Sequence, residues 1–223
     1  MRRRTATAGI LASAAMAAVP AAAAADAEAA ATAPTLRQLP APRTAGGMPL
    51  LAALKLRHST REYADRPLPA QLLSDLLWAA FGVNRPSGDR TAPYWRHVMV
   101  IDVYVALAEG VFVYEPKVHA LRPHLPADIR AQTGLQDFVA SAPLNLIYVA
   151  HGERMADIPL EQRHLYASVD TGFIGQNVYL YCASEGLASV FRAAVDGASL
   201  ARVLRLPEQQ FVTFAQTVGY PGS

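Results

Sequence analysis

The chain is predicted to fold as an α+β sandwich, with a mostly antiparallel central sheet flanked by helices. Apolar runs rich in β-branched residues alternate with helical patterns of unequal length, which disfavours a regular doubly wound sheet. Two of these runs, 98–106 and 111–114, are separated only by a short turn at Glu109-Gly110 and predict a hairpin. The stretch 48–223 is long enough to bury the core of one domain.

The amino terminus has the pattern of an export signal over residues 1–25. Three arginines, Arg2 to Arg4, precede an apolar run from about Ala8 to Val19 and an alanine tract with Ala-x-Ala cleavage sites. This run is shorter than the roughly 20 apolar residues that a spanning helix needs. We expect an exported protein, periplasmic or secreted, without stable membrane insertion, although an uncleaved Ala-rich helix stays an alternative. Residues 26–47, rich in Ala, Pro and Thr, predict a flexible linker.

Charge and cysteine content narrow the function further. Removing the leader takes away three of the 20 basic residues and leaves 17 against 18 acidic ones, so the formal charge falls from +2 to −1. Nothing then favours nucleic acid as a partner. The single cysteine, Cys182, excludes an intrachain disulfide and is predicted to be a core residue. The six histidines lack metal-ligand spacing, and no metal site is expected.

Prolines mark the starts of the predicted helices. Pro49 opens a short apolar pattern, and Pro69 opens a second one that repeats at three and four residues until Gly82. The region from Pro159 to about Gly186 is predicted to be helical, as a short and a long piece. In the long piece, Gly172 and Gly175 flatten one face, which would allow close approach of a helix from the same chain or from another subunit.

Three further strands complete the predicted sheet. Continuous or alternating apolar residues predict strands at 144–150 and 211–218, with a short strand around Val190.

A cluster of hydrogen-bond donors follows the first helix, at Arg57-His58-Ser59-Thr60-Arg61. Arginine binds phosphate bidentately and stays charged at any working pH, so the cluster is suited to a polyanionic ligand. A solvated helix boundary would have the same composition, and the cluster alone does not decide between the two.

The cluster resembles the Arg-x-Ser-x-Arg or Lys flavin motif of the nitroreductase family, and further similarity runs from about Met48 to Pro221. Segments similar to this family are its central strand (142–149), the start of its long helix (170–177), its Gly-Leu-Gly-Ser turn (186–190) and its closing strand (218–221). The stretch 110–121 is similar to the branch that includes the peptide thiazole and oxazoline dehydrogenases.

This resemblance implies an FMN cofactor bound at the subunit boundary of a homodimer. It places Arg57, His58, Ser59 and Arg61 around the phosphate, ribityl chain and pyrimidine edge. Further cofactor-binding residues are implied at Pro93 and Tyr94 near the ring, at Ala188 and Ser189 through their backbone, and at Arg192, which would be a second charge near the flavin or else an ordinary surface arginine.

Two departures from the family pattern leave the function open between two classes. Tyr94 and Trp95 replace small residues near the expected ring, and the chain ends at Gly222-Ser223 where relatives place a basic residue. The favoured function is an exported FMN-dependent oxidoreductase that passes electrons through the flavin to or from a small organic substrate; no side chain is named as catalytic. The alternative is a non-catalytic protein of the same fold that binds flavin or another small ligand.

Overall fold

A seven-stranded antiparallel sheet organises the protein, in a computed structural model that describes residues 35–222. The strand order is β1-β4-β3-β2-β5-β7-β6. This arrangement confirms the predicted α+β class. The strands are β1 (Arg37–Gln38), β2 (Ile101–Leu107), β3 (Gly110–Glu115), β4 (Ala120–Leu125), β5 (Leu144–His151), β6 (Ala188–Arg192) and β7 (Gln210–Gly219).

Five α-helices and three short 3-10 turns connect these strands within the described range. The helices are α1 (Leu50–Leu56), α2 (Ala70–Phe81), α3 (Phe138–Ser141), α4 (Leu160–Glu185) and α5 (Gly197–Val203), and the turns are Trp95–His97, Arg130–Gln132 and Gly152–Met155. None of the helices between residues 35 and 222 is long and apolar enough to cross a membrane.

The central strand β5 is buried along its whole length because both faces of the sheet are covered. Leu146 and Tyr148 point into the core beneath α2 and α4, whereas Ile147 and Val149 point into a second core that includes α5 residues such as Leu200. Because each face of β5 is buried in one of these cores, its sequence is a continuous apolar run and does not alternate between apolar and polar residues.

Helix α4 is one unbroken helix of 26 residues, so the prediction of two pieces was wrong. Pro159 precedes the helix, and the interior contains no further proline to break it. The helix ends at Gly186, which adopts a left-handed conformation (φ 68°) and donates its N–H to the carbonyl of Cys182.

The amino-terminal segment 35–47 is packed against the domain, which corrects the prediction of a flexible linker for these residues. The backbone N–H and the Nε–H of Arg43 donate to the carboxylate of Asp75, at 2.8 and 2.6 Å. Met48 N–H donates to Ser184 Oγ at 2.7 Å. The buried Asp75 offers acceptors that fix this segment in place. Residues 1–34, which include the predicted export signal, lie outside the described range.

Strand β4 and helix α5 were missed by sequence analysis. Pro123 lies inside β4 and argues against a strand at the level of sequence, because a proline has no N–H to donate to a strand ladder. The fold tolerates this proline because β1, the neighbour on that side, pairs only with Ala120 and Leu121. Helix α5 did carry a signal, since the Asp196 side chain accepts from Ser199 N–H at 2.9 Å as an N-cap.

Candidate functional site

A cavity of about 290 Å³ lies where the turn after α1, the carboxyl end of α4 and strand β6 meet. This is the place where the basic cluster and the Gly186 turn come together. The lining residues are Leu56, Arg57, His58, Thr60, Tyr179, Cys182, Ala183, Gly186, Leu187, Ala188, Ser189 and Pro221.

Backbone hydrogen bonds hold the basic turn between β6 and the end of the chain. Thr60 N–H donates to the carbonyl of Ser189 at 2.9 Å, and Gly222 N–H donates to the carbonyl of Glu62 at 3.0 Å. The turn is therefore attached to the sheet on both sides, although 129 positions of sequence separate Thr60 from Ser189.

Two basic side chains line the cavity, and no carboxylate is among the residues that surround it. The Arg57 guanidinium lies over the ring of Tyr179, 5.0 Å from the ring centroid. His58 Nδ1 is 2.7 Å from the carbonyl oxygen of Leu56, so Nδ1–H donates there and Nε2 stays available for another partner. The cavity consequently has a cationic edge suited to an anion.

The other predicted members of the cluster lie at its margin. Ser59 is exposed and does not line the cavity, but its Oγ is 2.8 Å from the hydroxyl of Tyr179, which does. Arg61 is exposed and also lies outside the lining.

Strand β6 and helix α4 form the apolar part of the cavity. Ala188 and Ser189 are buried and line it, as does Cys182. Burial raises the pKa of the Cys182 thiol to about 12, so this cysteine stays protonated and unreactive at neutral pH.

Arg192 is neither an exposed residue nor a member of the cavity. Side chains alternate along a strand, so Arg192 lies on the opposite face of β6 from Ser189. There its guanidinium donates to Thr217 Oγ1 (3.0 Å), Thr133 O (2.9 Å) and Asn145 Oδ1 (3.2 Å). Burial lowers the pKa of Arg192 to about 10. The alternative of an ordinary surface arginine is therefore wrong, and within one chain the structure does not bring Arg192 into the cavity that Arg57 lines, as the predicted cofactor-binding role would require.

Pro93 and Tyr94 are also separate from the cavity within one chain. The Tyr94 hydroxyl donates to Asp89, and its ring packs edge-on against Phe81. The next residue, Trp95, donates its N–H to Asp170 Oδ2 at 2.9 Å. Asp170 precedes Tyr179 by nine helical residues, which corresponds to about 13 Å along α4.

Exposed apolar side chains form a stripe on α4 and a patch on α1. Leu165, Val169 and Phe173 are exposed on α4, with Phe173 at 46%. Leu50, Leu51 and Leu54 are exposed on α1. Contiguous exposed apolar surface of this kind marks an interaction site. Gly172 belongs to the stripe, because no atom lies within 4 Å of its Cβ position, whereas Gly175 faces Phe191 of the same chain.

A larger cavity of about 390 Å³ lies between residues 43–47, α2 and α4. Its buried carboxylate, Asp75, already accepts hydrogen bonds from Arg43 and Gln71. We place the functional site at the smaller cavity, where the sequence motifs meet. Within residues 35–222, no group of three or more His, Cys, Asp or Glu side chains is arranged to hold a metal ion.

An antiparallel sheet crossed by one long helix, with a cationic edge where this helix meets the outermost strand, defines an α+β sandwich with a candidate anion site at that edge. The profile described as the nitroreductase family matches residues 54–220, which is more than half of the chain. The chain therefore belongs to the nitroreductase family.

Known proteins agree with this assignment. A protein of Methanocaldococcus jannaschii assigned to the nitroreductases is 32% identical over 162 residues, which cover 68% of this chain and 82% of the relative. A crystal structure of a nitroreductase-type protein from Ralstonia eutropha has 45% identity and a TM-score of 0.81, and covers 84% of this chain and 90% of its own. The NADPH:FMN oxidoreductase from Vibrio harveyi, solved with NAD⁺, shares the fold at 19% identity and a TM-score of 0.59, covering 78% and 69%.

Sequence analysis did not include Tyr179 among the site residues. It lies on α4 four residues after Gly175, and therefore on the same helical face. The available sequence signal for Tyr179 was a hydroxyl-bearing aromatic residue one helical turn after a glycine.

Proposed function

We propose that this protein is an FMN-dependent oxidoreductase that passes electrons through the flavin to or from a small organic substrate. The observation that carries the proposal is the cavity itself, which brings Arg57 and His58 to the backbone of Ala188 and Ser189 with no carboxylate in its lining. Membership of the nitroreductase family supports it, because flavin dependence is common in this family.

The lining residues fit the two ends of FMN. Arg57, with its planar fork of donors, and His58 would hold the phosphate. Ala188 and Ser189 have small side chains, which allow a planar ring to approach the strand. The bound flavin supplies the electron-transfer chemistry, and the protein binds and orients it and controls what reaches it.

A second copy of the chain would complete the site. The 290 Å³ cavity lies at the lower end of the range of about 300–1,000 Å³ typical of ligand pockets. The exposed stripe on α4 and the apolar patch on α1 offer a surface for a homodimer. In such a dimer, Pro93 and Tyr94 of the second copy would face the cavity, which accounts for their distance from Arg57 within one chain.

The packing of Tyr94 and Trp95 favours an enzyme over a binding protein with a blocked site. Both aromatic residues pack within their own chain, Tyr94 against Phe81 and Trp95 against Tyr166. Neither fills the cavity beside Arg57 of its own chain, and in a dimer the contact with Phe81 would hold Tyr94 of the second copy at the border of the cavity and not inside it.

We also propose that the protein acts outside the cytoplasm, on the basis of the leader pattern in residues 1–25. Fractionation of cells that express the full chain tests this proposal.

The visible absorption spectrum of the purified protein is the direct test of the proposed function. We expect a yellow protein with about one non-covalent FMN per chain, which a chemical or enzymatic reductant bleaches and a small organic acceptor restores. A colourless protein that does not take up added FMN would refute the proposal. A protein that holds FMN but transfers no electrons would support the non-catalytic alternative.

A further inference from the structure

Tyr179 connects three parts of the candidate site. Its ring lines the cavity and lies under the Arg57 guanidinium, at 5.0 Å from guanidinium carbon to ring centroid. Its hydroxyl is 2.8 Å from Ser59 Oγ and accepts the backbone N–H of Phe191 at 2.7 Å. One side chain of α4 therefore contacts both the basic turn and strand β6.

The hydrogen bonds around this hydroxyl have a preferred direction. The Phe191 N–H can only donate, so it occupies an acceptor position on the Tyr179 oxygen. The single phenolic hydrogen is then free to point at Ser59 Oγ. If Ser59 accepts this hydrogen, its own hydroxyl hydrogen is available for another acceptor. The chain of bonds from Phe191 through Tyr179 thus presents Ser59 as a donor, which is the role that a phosphate oxygen requires.

The ring of Tyr179 contacts the Arg57 guanidinium and limits its movement, while the hydroxyl of the same residue orients Ser59. Arg57 makes no ion pair with a carboxylate of residues 35–222. Contact with the face of Tyr179 restricts the guanidinium without neutralising its charge. Arg57 is consequently held in place while its charge stays available to an anion.

We propose that Tyr179 is a positioning residue for the phosphate of the bound flavin nucleotide, its ring holding Arg57 and its hydroxyl orienting Ser59 as a donor. This inference rests on the proposed FMN-binding function. A purely structural alternative is that Tyr179 only satisfies the free N–H of Phe191 on the outermost strand. The two differ in what they predict for flavins with and without a phosphate.

The test compares the affinity of the full protein for FMN and for riboflavin, which lacks the phosphate. We expect Tyr179→Phe, which keeps the ring, to weaken FMN binding by about 5- to 10-fold, a loss within the range for an ordinary hydrogen bond, because the lost hydroxyl acts on the phosphate only through Ser59. Riboflavin affinity should change less than about 2-fold. Tyr179→Leu, which also removes the contact with Arg57, should weaken FMN binding further.

Ser59→Ala provides the coupling control. If Tyr179 acts through Ser59, the double variant Tyr179→Phe with Ser59→Ala should bind FMN no more weakly than the weaker of the two single variants. A Tyr179→Phe variant that binds FMN like wild type would overturn this inference and leave the proposed function standing. The same holds for a variant whose affinities for FMN and riboflavin fall by the same factor. A wild-type protein that binds neither flavin overturns the proposed function and this inference with it.

Discussion

The ring of Phe191 on strand β6 lies directly against the backbone of Gly175 on helix α4. A Cβ atom at Gly175 would be 2.5 Å from Phe191 Cδ2, which is too close for any non-bonded contact. The glycine lets the helix and the strand approach, and this approach brings the Tyr179 hydroxyl, one turn later, to the Phe191 N–H. Gly175 therefore serves a contact within the chain, which was one of the two alternatives that the sequence left open for the glycine face, and only Gly172 lies on the exposed stripe.

We expect alanine substitutions at the two glycines of α4 to have opposite effects. Gly175→Ala should lower the free energy of unfolding by about 1–3 kcal/mol, because Phe191 has to move away. Gly172→Ala meets no atom within 4 Å and should leave stability unchanged or raise it by about 0.5–1 kcal/mol through helix propensity. Urea unfolding measures both, and equal losses in the two variants would contradict the packing of Gly175.

The exposed stripe on α4 predicts the oligomeric state. Replacing Phe173 with Glu places a charge in the proposed dimer contact, at a cost on the order of several kcal/mol if it is buried without a partner. We expect light scattering to show a wild-type dimer and a Phe173→Glu monomer. Ala198→Glu, an exposed position on α5, is the matched control and should stay dimeric. A monomeric wild type would refute the shared site.

Arg57 is expected to be the main cationic contact of the bound phosphate. Arg57→Ala should weaken FMN binding by about 1.5–3 kcal/mol, the range for a hydrogen bond to a charged group. Arg202→Ala removes an exposed arginine of α5 and controls for the general loss of positive charge. Fluorescence titration with FMN measures both, and equal affinities for the two variants would place the phosphate elsewhere.

Asp75 is expected to hold the amino-terminal segment against the domain. Asp75→Ala removes the acceptors of two hydrogen bonds from Arg43, so local opening and tryptic cleavage after Arg43 should become about 10-fold faster or more. Glu185→Ala is a suitable control, since the Glu185 carboxylate lies 3.6 Å from Arg43 Nη2 and makes a weaker contact. Rapid tryptic cleavage of the wild-type protein at Arg43 would contradict this contact and support the prediction of a flexible linker.

Asp170 predicts a pH dependence of stability. Burial raises its pKa from an ordinary value of 3.8 to about 6, and the Trp95 N–H opposes this only in part. Because the folded-state pKa is the higher one, the stability that Asp170 contributes is full below about pH 3.8 and is lost as pH rises through about 6.

The matched variant is Asp170→Asn, which keeps an acceptor for Trp95 N–H but does not titrate. We expect the unfolding free energy of wild type relative to Asp170→Asn to fall by about 1–3 kcal/mol between about pH 4 and pH 7. Chemical denaturation at several pH values measures this difference. A difference that does not change with pH would show that the carboxylate titrates normally.

Local patterns in the chain were sufficient for the fold class and for most elements. Apolar runs and their flanking turns located β2, β3, β5, β6 and β7, and prolines located the starts of α1 and α2. The basic cluster and the Gly186 turn were assigned to one site through their resemblance to motifs of the nitroreductase family, which could be recognised because both motifs are short and contiguous. Such features depend on residues close together in sequence, where backbone preference and periodicity act directly.

Contacts between distant segments could be decided only by the tertiary structure. Residues 35–47 have the composition of a linker but are packed against the domain, because Asp75 accepts the N–H of Arg43 and Ser184 accepts the N–H of Met48 directly after the segment. Periodicity placed Gly172 and Gly175 on one side of α4, but it could not show that Phe191 covers only the second. Burial of Arg192 on the far face of β6 depends likewise on which segments cover the sheet. Hydrophobic patterning specifies that a face is covered, and the order of the strands and the paths of the connections determine what covers it.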